Sequence, residues 1–182
     1  MLELATLGLL QKEALHGYQL TKMLELFMGS CISVNYGAIY PLLRRLERQG
    51  LITTLSSTSE RPEASSRIIY RTTAQGHERW RSRMLQTPNE SWVNSRARFM
   101  IKAFFFAELD PSERIALIQH RLAQCWEREQ LLRSKPLPLG PLDVYQSQAV
   151  QRGMEMLCDE QQWLQTLLSR EQSLMTGPSV TP

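Results

Sequence analysis

The sequence predicts a mainly α-helical protein with a small two-stranded β element between two helical parts. Apolar residues recur at spacings of three and four over most of the chain. Two short β-branched runs lie between residues 51 and 72, and a Pro-rich bend at residues 135–141 separates two long amphipathic patterns. With 182 residues, of which 42% are hydrophobic and 21% charged, the chain fits one domain with an appendage or two small domains.

Three short helices are predicted in the N-terminal part. The first ends near Glu13, and a turn at His16 leads into the second, which ends near Gly29. The third spans Ser33 to Gly50, with Ser33 as its N-cap and Gly50 as the left-handed residue that follows its last turn. Three helices joined by short turns are typical of a helix-turn-helix unit.

The third helix has two chemically different faces. One face is apolar at spacings i, i+3, i+4 and i+7, with Ile39, Leu42, Leu43 and Leu46. The other face carries arginines, with tyrosines on its flank: Arg44, Arg45, Arg48, Tyr36 and Tyr40. The planar arginine fork suits phosphates and guanine edges, which favours a polyanion as partner. Pro41 inside this helix predicts either a kink or a late start.

Charge is concentrated around the third helix. The net charge of the chain is only +3, but residues 35–83 contain nine arginines and four acidic residues. The region from residue 111 onwards is slightly acidic. A solvated charged face is the alternative interpretation of such an arginine run, and it predicts no partner.

Two strands are predicted after the third helix. Residues 51–55 and 67–72 are β-prone, and the polar segment 56–66 between them predicts a loop. Two strands and a loop in this position form a wing, whose Arg61 and Arg67 would reach phosphates or the minor groove. Thr73 is predicted to cap the next helix, and Gly76 weakens its first turn.

The C-terminal part is predicted to be helical throughout. One helix spans residues 96–108, the next starts at Asp110-Pro111 and ends near Ser134, and the last covers residues 142–174. The last two make an antiparallel hairpin with narrow apolar stripes, for which a second copy is the natural cover. We therefore divide the chain into three parts. Residues 1–86 are predicted to form a winged helix-turn-helix DNA-binding domain, residues 91–174 a helical dimerisation domain, and residues 175–182 a disordered tail.

Several classes of function lack a motif in this sequence. Cys31, Cys125 and Cys158 form neither a CxxC motif nor a disulfide framework, and three dispersed histidines suggest no metal site. We see no nucleophile motif and no Gly-rich phosphate loop. The prediction is a protein that is not an enzyme and has no cofactor or metal. The apolar stretch 103–109 is too short to span a membrane and no signal peptide is evident, so we expect a cytoplasmic protein.

An ordered set of short motifs resembles the PadR family of bacterial transcriptional regulators. The matching segments are LGLL at residues 7–10, HGYQL at 16–20, GAIYPLLRRLE at 37–47, GLI at 50–52 and YRTT at 70–73 with Gly76. The resemblance implies a winged helix-turn-helix fold, a homodimer on a palindromic operator and usually repression. It also implies a small-molecule effector such as a phenolic acid or a drug. Residues 63–67 depart from the family, which usually has a glycine-rich basic turn there.

The predicted sites follow from these patterns. Arginines in the middle and end of the third helix would hold phosphates, and residues near its start would meet bases. The DNA-binding candidates are Ser33, Asn35, Tyr36, Tyr40, Arg44, Arg45, Arg48, Arg61 and Arg67. An effector pocket is assigned to Trp92, Trp126 and Trp163, for which core packing is the alternative interpretation.

The sequence thus predicts a sequence-specific DNA-binding regulator whose partners are double-stranded DNA, a second copy of itself and a small effector. The alternative is a protein-interaction module that uses a winged-helix scaffold without specific DNA binding.

Overall fold

A computed structural model describes residues 1–28, 36–55, 68–134 and 141–176, which form two compact units divided between Phe106 and Ala107. The described elements in chain order are α1 (Leu2–Lys12), β1 (Leu15–His16), α2 (Gly17–Met28), α3 (Tyr36–Arg48), β2 (Ile52–Leu55), β3 (Ile69–Thr72), α4 (Ala74–Leu85), α5 (Trp92–Phe104), a 3-10 turn (Phe106–Glu108), α6 (Pro111–Ser134) and α7 (Val144–Thr176). Because the first unit extends to Phe106, it includes α5. The division into functional domains at residues 86 and 91 stays a prediction.

The sheet has three antiparallel strands in the order β1-β3-β2. Ile52 of β2 pairs with Thr72 of β3, and Leu15 of β1 pairs with Tyr70 on the other side of β3. The predicted fold class, helices with a small β wing, is confirmed. The structure adds β1 where the sequence predicts a turn. A strand of two residues is too short to show an alternating pattern.

The core of the first unit is built around α1. Every residue from Leu4 to Leu10 is buried, so this helix is enclosed on all sides. Gly8 allows Phe105 to approach α1 closely, since a Cβ atom added there would lie 2.5 Å from Cζ of Phe105. Phe105 in turn makes an edge-to-face contact with the fully buried Trp80, at 6.0 Å between ring centres. The residue that follows α5 and the middle of α4 thereby pack around α1.

The C-terminus of α3 forms a Schellman motif. Gly50 has a φ of 68°, its N–H donates to the carbonyl of Glu47 at 2.9 Å, and the N–H of Leu51 donates to Leu46 at 2.9 Å. Leu46 and Leu51 are both buried and supply the apolar contact of this motif. The helix stop predicted at Gly50 is confirmed, and α3 continues through Pro41 without interruption.

The N-terminus of α4 is joined to the end of α3. The Thr73 hydroxyl accepts a hydrogen bond from the Gly76 N–H at 3.0 Å, which confirms the predicted cap, and donates one to the Gly50 carbonyl at 2.7 Å. A Cβ on Gly76 would overlap the Leu51 carbonyl oxygen and lie 2.8 Å from Cγ2 of Thr72. The glycine that weakens the first turn by propensity is therefore required by packing.

Helix α5 starts earlier than the sequence predicts. Ser91 caps it by accepting a hydrogen bond from the Asn94 N–H, and it ends at Phe104, followed by the 3-10 turn. Lys102 near its end is only 3% exposed, and its Nζ donates to the Gln86 carbonyl at 2.5 Å. Burial, and next the charge of Arg98, lower the pKa of Lys102 to about 8, although Glu90 opposes the shift.

The second unit is the predicted antiparallel hairpin of α6 and α7. Asp110 and Glu113 form part of the expected capping box, since the Asp110 N–H donates to the Glu113 carboxylate at 3.0 Å. Asp143 caps α7 by accepting hydrogen bonds from the N–H groups of Tyr145 and Gln146, both at 2.8 Å. Helix α7 extends to Thr176, and the remainder of the predicted tail, residues 177–182, lies outside the described residues.

Ion pairs as well as apolar contacts join the two helices of the hairpin. Arg121 and Glu160 pair at 2.9 Å with side chains that are 1% and 5% exposed. Arg114 and Glu171 pair at 2.7 Å nearer the open end of the hairpin, where α6 begins and α7 ends. The described apolar core beside these pairs contains Leu117, Ile118, Leu122, Cys125, Leu157 and Leu164. No described helix is long and apolar enough to cross a membrane.

The junction between α3 and α4 generates a stability prediction. We expect Gly76→Ala to lower the free energy of unfolding by roughly 3 kcal/mol, because the new methyl group must displace backbone. Gly153→Ala in α7 is the matched control, since a Cβ there meets no atom within 4 Å. It should stabilise by about 1 kcal/mol through helix propensity. Chemical denaturation measures both, and equal effects of the two substitutions would contradict the packing argument.

The buried lysine generates a pH prediction. The pKa of Lys102 is lower in the folded state, about 8, than its ordinary value of 10.5. As pH rises through this window the folded state therefore loses its proton first, and the free energy of unfolding should increase. The gain should reach up to roughly 3 kcal/mol. Lys102→Met should remove this part of the rise when denaturation curves at about pH 7 and about pH 10 are compared. If the free energy of unfolding of Lys102→Met rises with pH as much as that of the wild type, Lys102 is not the source of the rise.

Candidate nucleic-acid interface

Helix α3 presents one face to the core and the other to solvent. Ile39, Leu43 and Leu46 are completely buried, and Leu42 nearly so. The exposed residues of the opposite face and its flanks are Gly37, Ala38, Tyr40, Pro41, Arg44, Arg45, Glu47 and Arg48. The two faces predicted from the spacing are therefore present, and the Schellman motif fixes where the exposed face ends.

Tyr40 lies on the flank of α3 that faces α2. Its side chain is 46% exposed, and its ring rests on Gly17 at the start of α2, where an added Cβ would lie 3.1 Å from Cε1 of the ring. A larger residue at position 17 would push the ring outwards. Gly17 thus allows Tyr40 to lie against the protein while its other edge stays accessible. An accessible phenol of this kind can donate to a phosphate or a base edge.

The same flank is tied to the sheet. Glu47 accepts a hydrogen bond from the Thr54 hydroxyl of β2 at 3.1 Å. Burial raises the pKa of Tyr70 in β3, and the negative charge of Glu47 raises it further. Tyr70 is therefore a neutral core residue beside the acidic end of this flank. The contacts hold the first wing strand at a fixed position relative to α3.

The three arginines of α3 have different surroundings. Arg44 and Arg48 are exposed, and Nε of Arg48 donates to the Arg44 carbonyl at 3.4 Å. Arg45, on the flank opposite Tyr40, pairs with Glu3 of α1 at 3.2 Å while its side chain remains 52% exposed. Two of the predicted arginines thus project from the outer face, and the third is attached to α1.

Glu3 is the residue of this region that the sequence analysis missed. Besides Arg45 it contacts two arginines of α4, Arg79 at 3.3 Å and Arg83 at 3.7 Å. Its own side chain is 17% exposed, much less than those of the arginines around it. These partners are 42 and 76 residues away along the chain for Arg45 and Arg79, so no local pattern indicates the cluster.

Several predicted site residues fall outside the described residues. Ser33, Asn35, Arg61 and Arg67 belong to this group, and Tyr36 is described only as the first residue of α3. Their predicted contacts with DNA stay predictions.

The three tryptophans predicted to line an effector pocket are divided between the units. Trp92 opens α5 in the first unit, whereas Trp126 of α6 and Trp163 of α7 belong to the second. Trp126 and Trp163 are 47% and 38% exposed. Within the described parts of the chain, no three His, Cys, Asp or Glu side chains come together as metal ligands.

Comparisons with known proteins identify a family that resembles this chain. Residues 6–82 match the model of the Transcriptional regulator PadR-like family. The Negative transcriptional regulator PadR of Bacillus subtilis strain 168 is 25% identical over an alignment of 181 residues, which covers 93% of this chain and 96% of that protein.

Solved structures also match the chain. The crystal structure of Bacillus subtilis PadR in complex with operator DNA has 24% identity and a TM-score of 0.46, covering 93% of this chain and 98% of that one. The complex of the same protein with p-coumaric acid has 23% identity and a TM-score of 0.43, covering 94% and 95%. A PadR-like regulator from Bacillus cereus is 30% identical with a TM-score of 0.37, covering 44% of this chain and 75% of that one. The match to the family model therefore shows that the domain at residues 6–82, with the N-terminal helices and the strands, belongs to the PadR-like family of transcriptional regulators.

Proposed function

We propose that this protein is a homodimeric, sequence-specific DNA-binding repressor that acts on a palindromic operator in the cytoplasm. The observation that carries the proposal is the exposed face of α3, which offers Tyr40, Arg44 and Arg48 on a helix whose opposite face is buried. A helix of this kind fits the major groove, and a second copy would place its twin about one helical turn, roughly 34–36 Å, away.

The proposed contacts divide by position along α3. Arg44, Arg45 and Arg48 would bind phosphates and set the register of the protein on DNA. Tyr40 and the residues at the start of the helix, Ser33, Asn35 and Tyr36, would meet base edges or the adjacent backbone. Arg61 and Arg67 of the wing would bind phosphates or enter the minor groove. Each good pair between a side chain and a base contributes about 1–3 kcal/mol of discrimination.

Repression is proposed on the evidence of a sequence relative. The Bacillus subtilis protein that is 25% identical over 93% of this chain is a negative transcriptional regulator. A dimer bound across a promoter would block transcription by occupying the DNA, and this mechanism needs no catalytic group.

Dimerisation is proposed through the second unit. Helix α7 carries a second apolar stripe outside the hairpin core, because Tyr145, Met156, Trp163 and Leu174 follow one another at 11, 7 and 11 residues and are all exposed. Exposed apolar residues also occur on α6, at Trp126, Leu131 and Leu132. Rows of large apolar side chains of this kind are typical of protein interfaces. A second copy of the hairpin would cover them.

A small aromatic acid is proposed as effector. Trp126 and Trp163 of the second unit supply exposed aromatic surface on which such a ligand would stack, and the role of Trp92 stays a prediction. The relative from Bacillus subtilis has been crystallised with p-coumaric acid, which is a ligand of this chemical class. Binding near the second unit would change the distance between the two α3 helices and thereby release DNA.

The exposed arginines of α3 generate the test of DNA binding. We expect the logarithm of the binding constant for the intergenic DNA next to the gene to fall linearly with the logarithm of salt concentration. Arg44→Ala with Arg48→Ala should reduce the slope of that line by about 1.8, because two phosphate contacts are lost. Arg133→Ala with Arg152→Ala is the matched control, since it removes two arginines of the second unit that are each 66% exposed. Fluorescence anisotropy measures all three proteins.

Two outcomes would count against this proposal. An unchanged slope in the α3 variant would exclude Arg44 and Arg48 from the contacts. Equal wild-type affinity for the intergenic and an unrelated duplex at every salt concentration would contradict sequence-specific regulation and favour a protein-interaction module.

The apolar stripe of α7 generates the test of dimerisation. Met156→Glu should dissociate the dimer into monomers, because it places a charge in the proposed interface, at a side chain that is exposed in the isolated chain. Gln165→Glu introduces the same charge at an exposed position on the opposite side of α7 from Met156, where the interface would be undisturbed. Light scattering gives the mass of each variant. A wild-type protein that is a monomer in solution, or a Met156→Glu variant that stays dimeric, would contradict the proposed interface.

A further inference from the structure

A cleft of about 670 Å³ lies beside α3 within the first unit. Small residues of the first half of α3, namely Gly37, Ala38 and Pro41, form one wall. The first turn of α1, including Glu3, also lines the cleft. Because no bulky side chain projects from this stretch of α3, the cleft remains open next to the exposed face of the helix.

The lining of the cleft is strongly basic. Four arginines line it against a single acid, Glu3: Arg45, Arg48, Arg83 and Arg98. Arg98 is neutralised by a bidentate pair with Glu90, at 2.6 and 3.0 Å. Arg45 and Arg83 share Glu3, which also binds Arg79 just outside the cleft, whereas Arg48 donates to the Arg44 carbonyl. Positive charge therefore exceeds negative charge.

The arrangement of these charges favours an incoming anion. The carboxylate of Glu3 is largely covered, whereas the side chains of Arg45 and Arg83 are 52% and 41% exposed. An anion that enters from solvent meets guanidinium groups first. Glu3 pairs with Arg45 of α3 and with Arg83 of α4, so that two planar forks from different helices converge on one carboxylate.

We propose that this cleft binds a backbone phosphate of DNA, with Arg83 of α4 as an additional contact and Glu3 as its positioning residue. The proposal rests on the proposed DNA binding by α3. Gly37, Pro41 and Arg48 belong both to the exposed face of α3 and to the cleft, so the two surfaces are continuous.

The position of the cleft supports DNA as the source of the phosphate. The flank of α3 with Tyr40 and Glu47 faces α2 and the sheet, and the cleft lies on the other flank, with Arg45. A helix in the major groove lies between two phosphate backbones about 12 Å apart. The flank of α3 that faces the sheet would approach the backbone of one DNA strand. The cleft on the other flank lies where the backbone of the second DNA strand would pass. The arginine cluster thereby gives α3 a phosphate contact on each side.

The test is the salt dependence of binding of the full chain to a labelled intergenic duplex. We expect Arg83→Gln to weaken binding roughly tenfold, as for one lost charge-assisted hydrogen bond. It should reduce the slope against the logarithm of salt by about 0.9, and Arg83→Lys should keep the wild-type slope. Arg81→Gln is the matched control, because it removes the same charge from the opposite side of α4.

The outcomes separate this site from the proposed function. A wild-type protein that fails to bind DNA overturns both. Two results would overturn only the phosphate site in a wild-type protein that binds DNA. The first is an Arg83→Gln variant with the same salt slope as the wild type, and the second is an Arg81→Gln variant that loses as much affinity as Arg83→Gln. Melting temperatures with inorganic pyrophosphate at constant ionic strength test a free phosphorylated ligand. We expect no saturable stabilisation; stabilisation that Arg83→Gln abolishes would overturn DNA as the source of the phosphate.

Discussion

The contact between Gly76 and the carbonyl of Leu51 is the constraint on which the position of α3 depends. It brings the first turn of α4 against the end of α3 at a distance that excludes any side chain. The left-handed Gly50 turns the chain there, and the Thr73 hydroxyl joins the two helix ends by hydrogen bonds. Since α4 also packs on the enclosed α1, the exposed face of α3 is held by the rigid core of the first unit.

Electrostatics divides this face into two parts. On the outer surface Arg44 and Arg48 face solvent, whereas Arg45 on the flank belongs to the cluster around Glu3. One carboxylate that serves three arginines cannot neutralise them, so the cluster stays basic while its geometry is restrained. A restrained cation loses less entropy on binding a phosphate than a free side chain does.

The local signals in the sequence predicted most of the fold. The stop at Gly50, the cap at Thr73, the start of α6 at Asp110-Pro111 and the hairpin depend on neighbouring residues, and the structure contains them. Strand β1 could not be predicted because two residues show no alternating pattern. Gly76 weakens its helix by propensity alone, and its packing against Leu51 could not be predicted because Leu51 is distant along the chain.

The site was predictable only in part, for the same reason. The two faces of α3 follow from its apolar spacing, but the cluster around Glu3 depends on contacts between α1, α3 and α4. Helix propensity and spacing contain no information on such pairs. Predicted residues such as Asn35 and Arg61 lie outside the described residues, so their roles depend on measurement.

The buried pair of Arg121 and Glu160 restricts how the sequence of the hairpin can change. Replacing either residue alone leaves a charge in a core that cannot solvate it, which typically costs about 3–5 kcal/mol. Replacing both with apolar residues of similar volume is often neutral. The two positions should therefore vary together among descendants of this protein, and single replacements should be short-lived intermediates. The covariation would record which turn of α6 lies against which turn of α7.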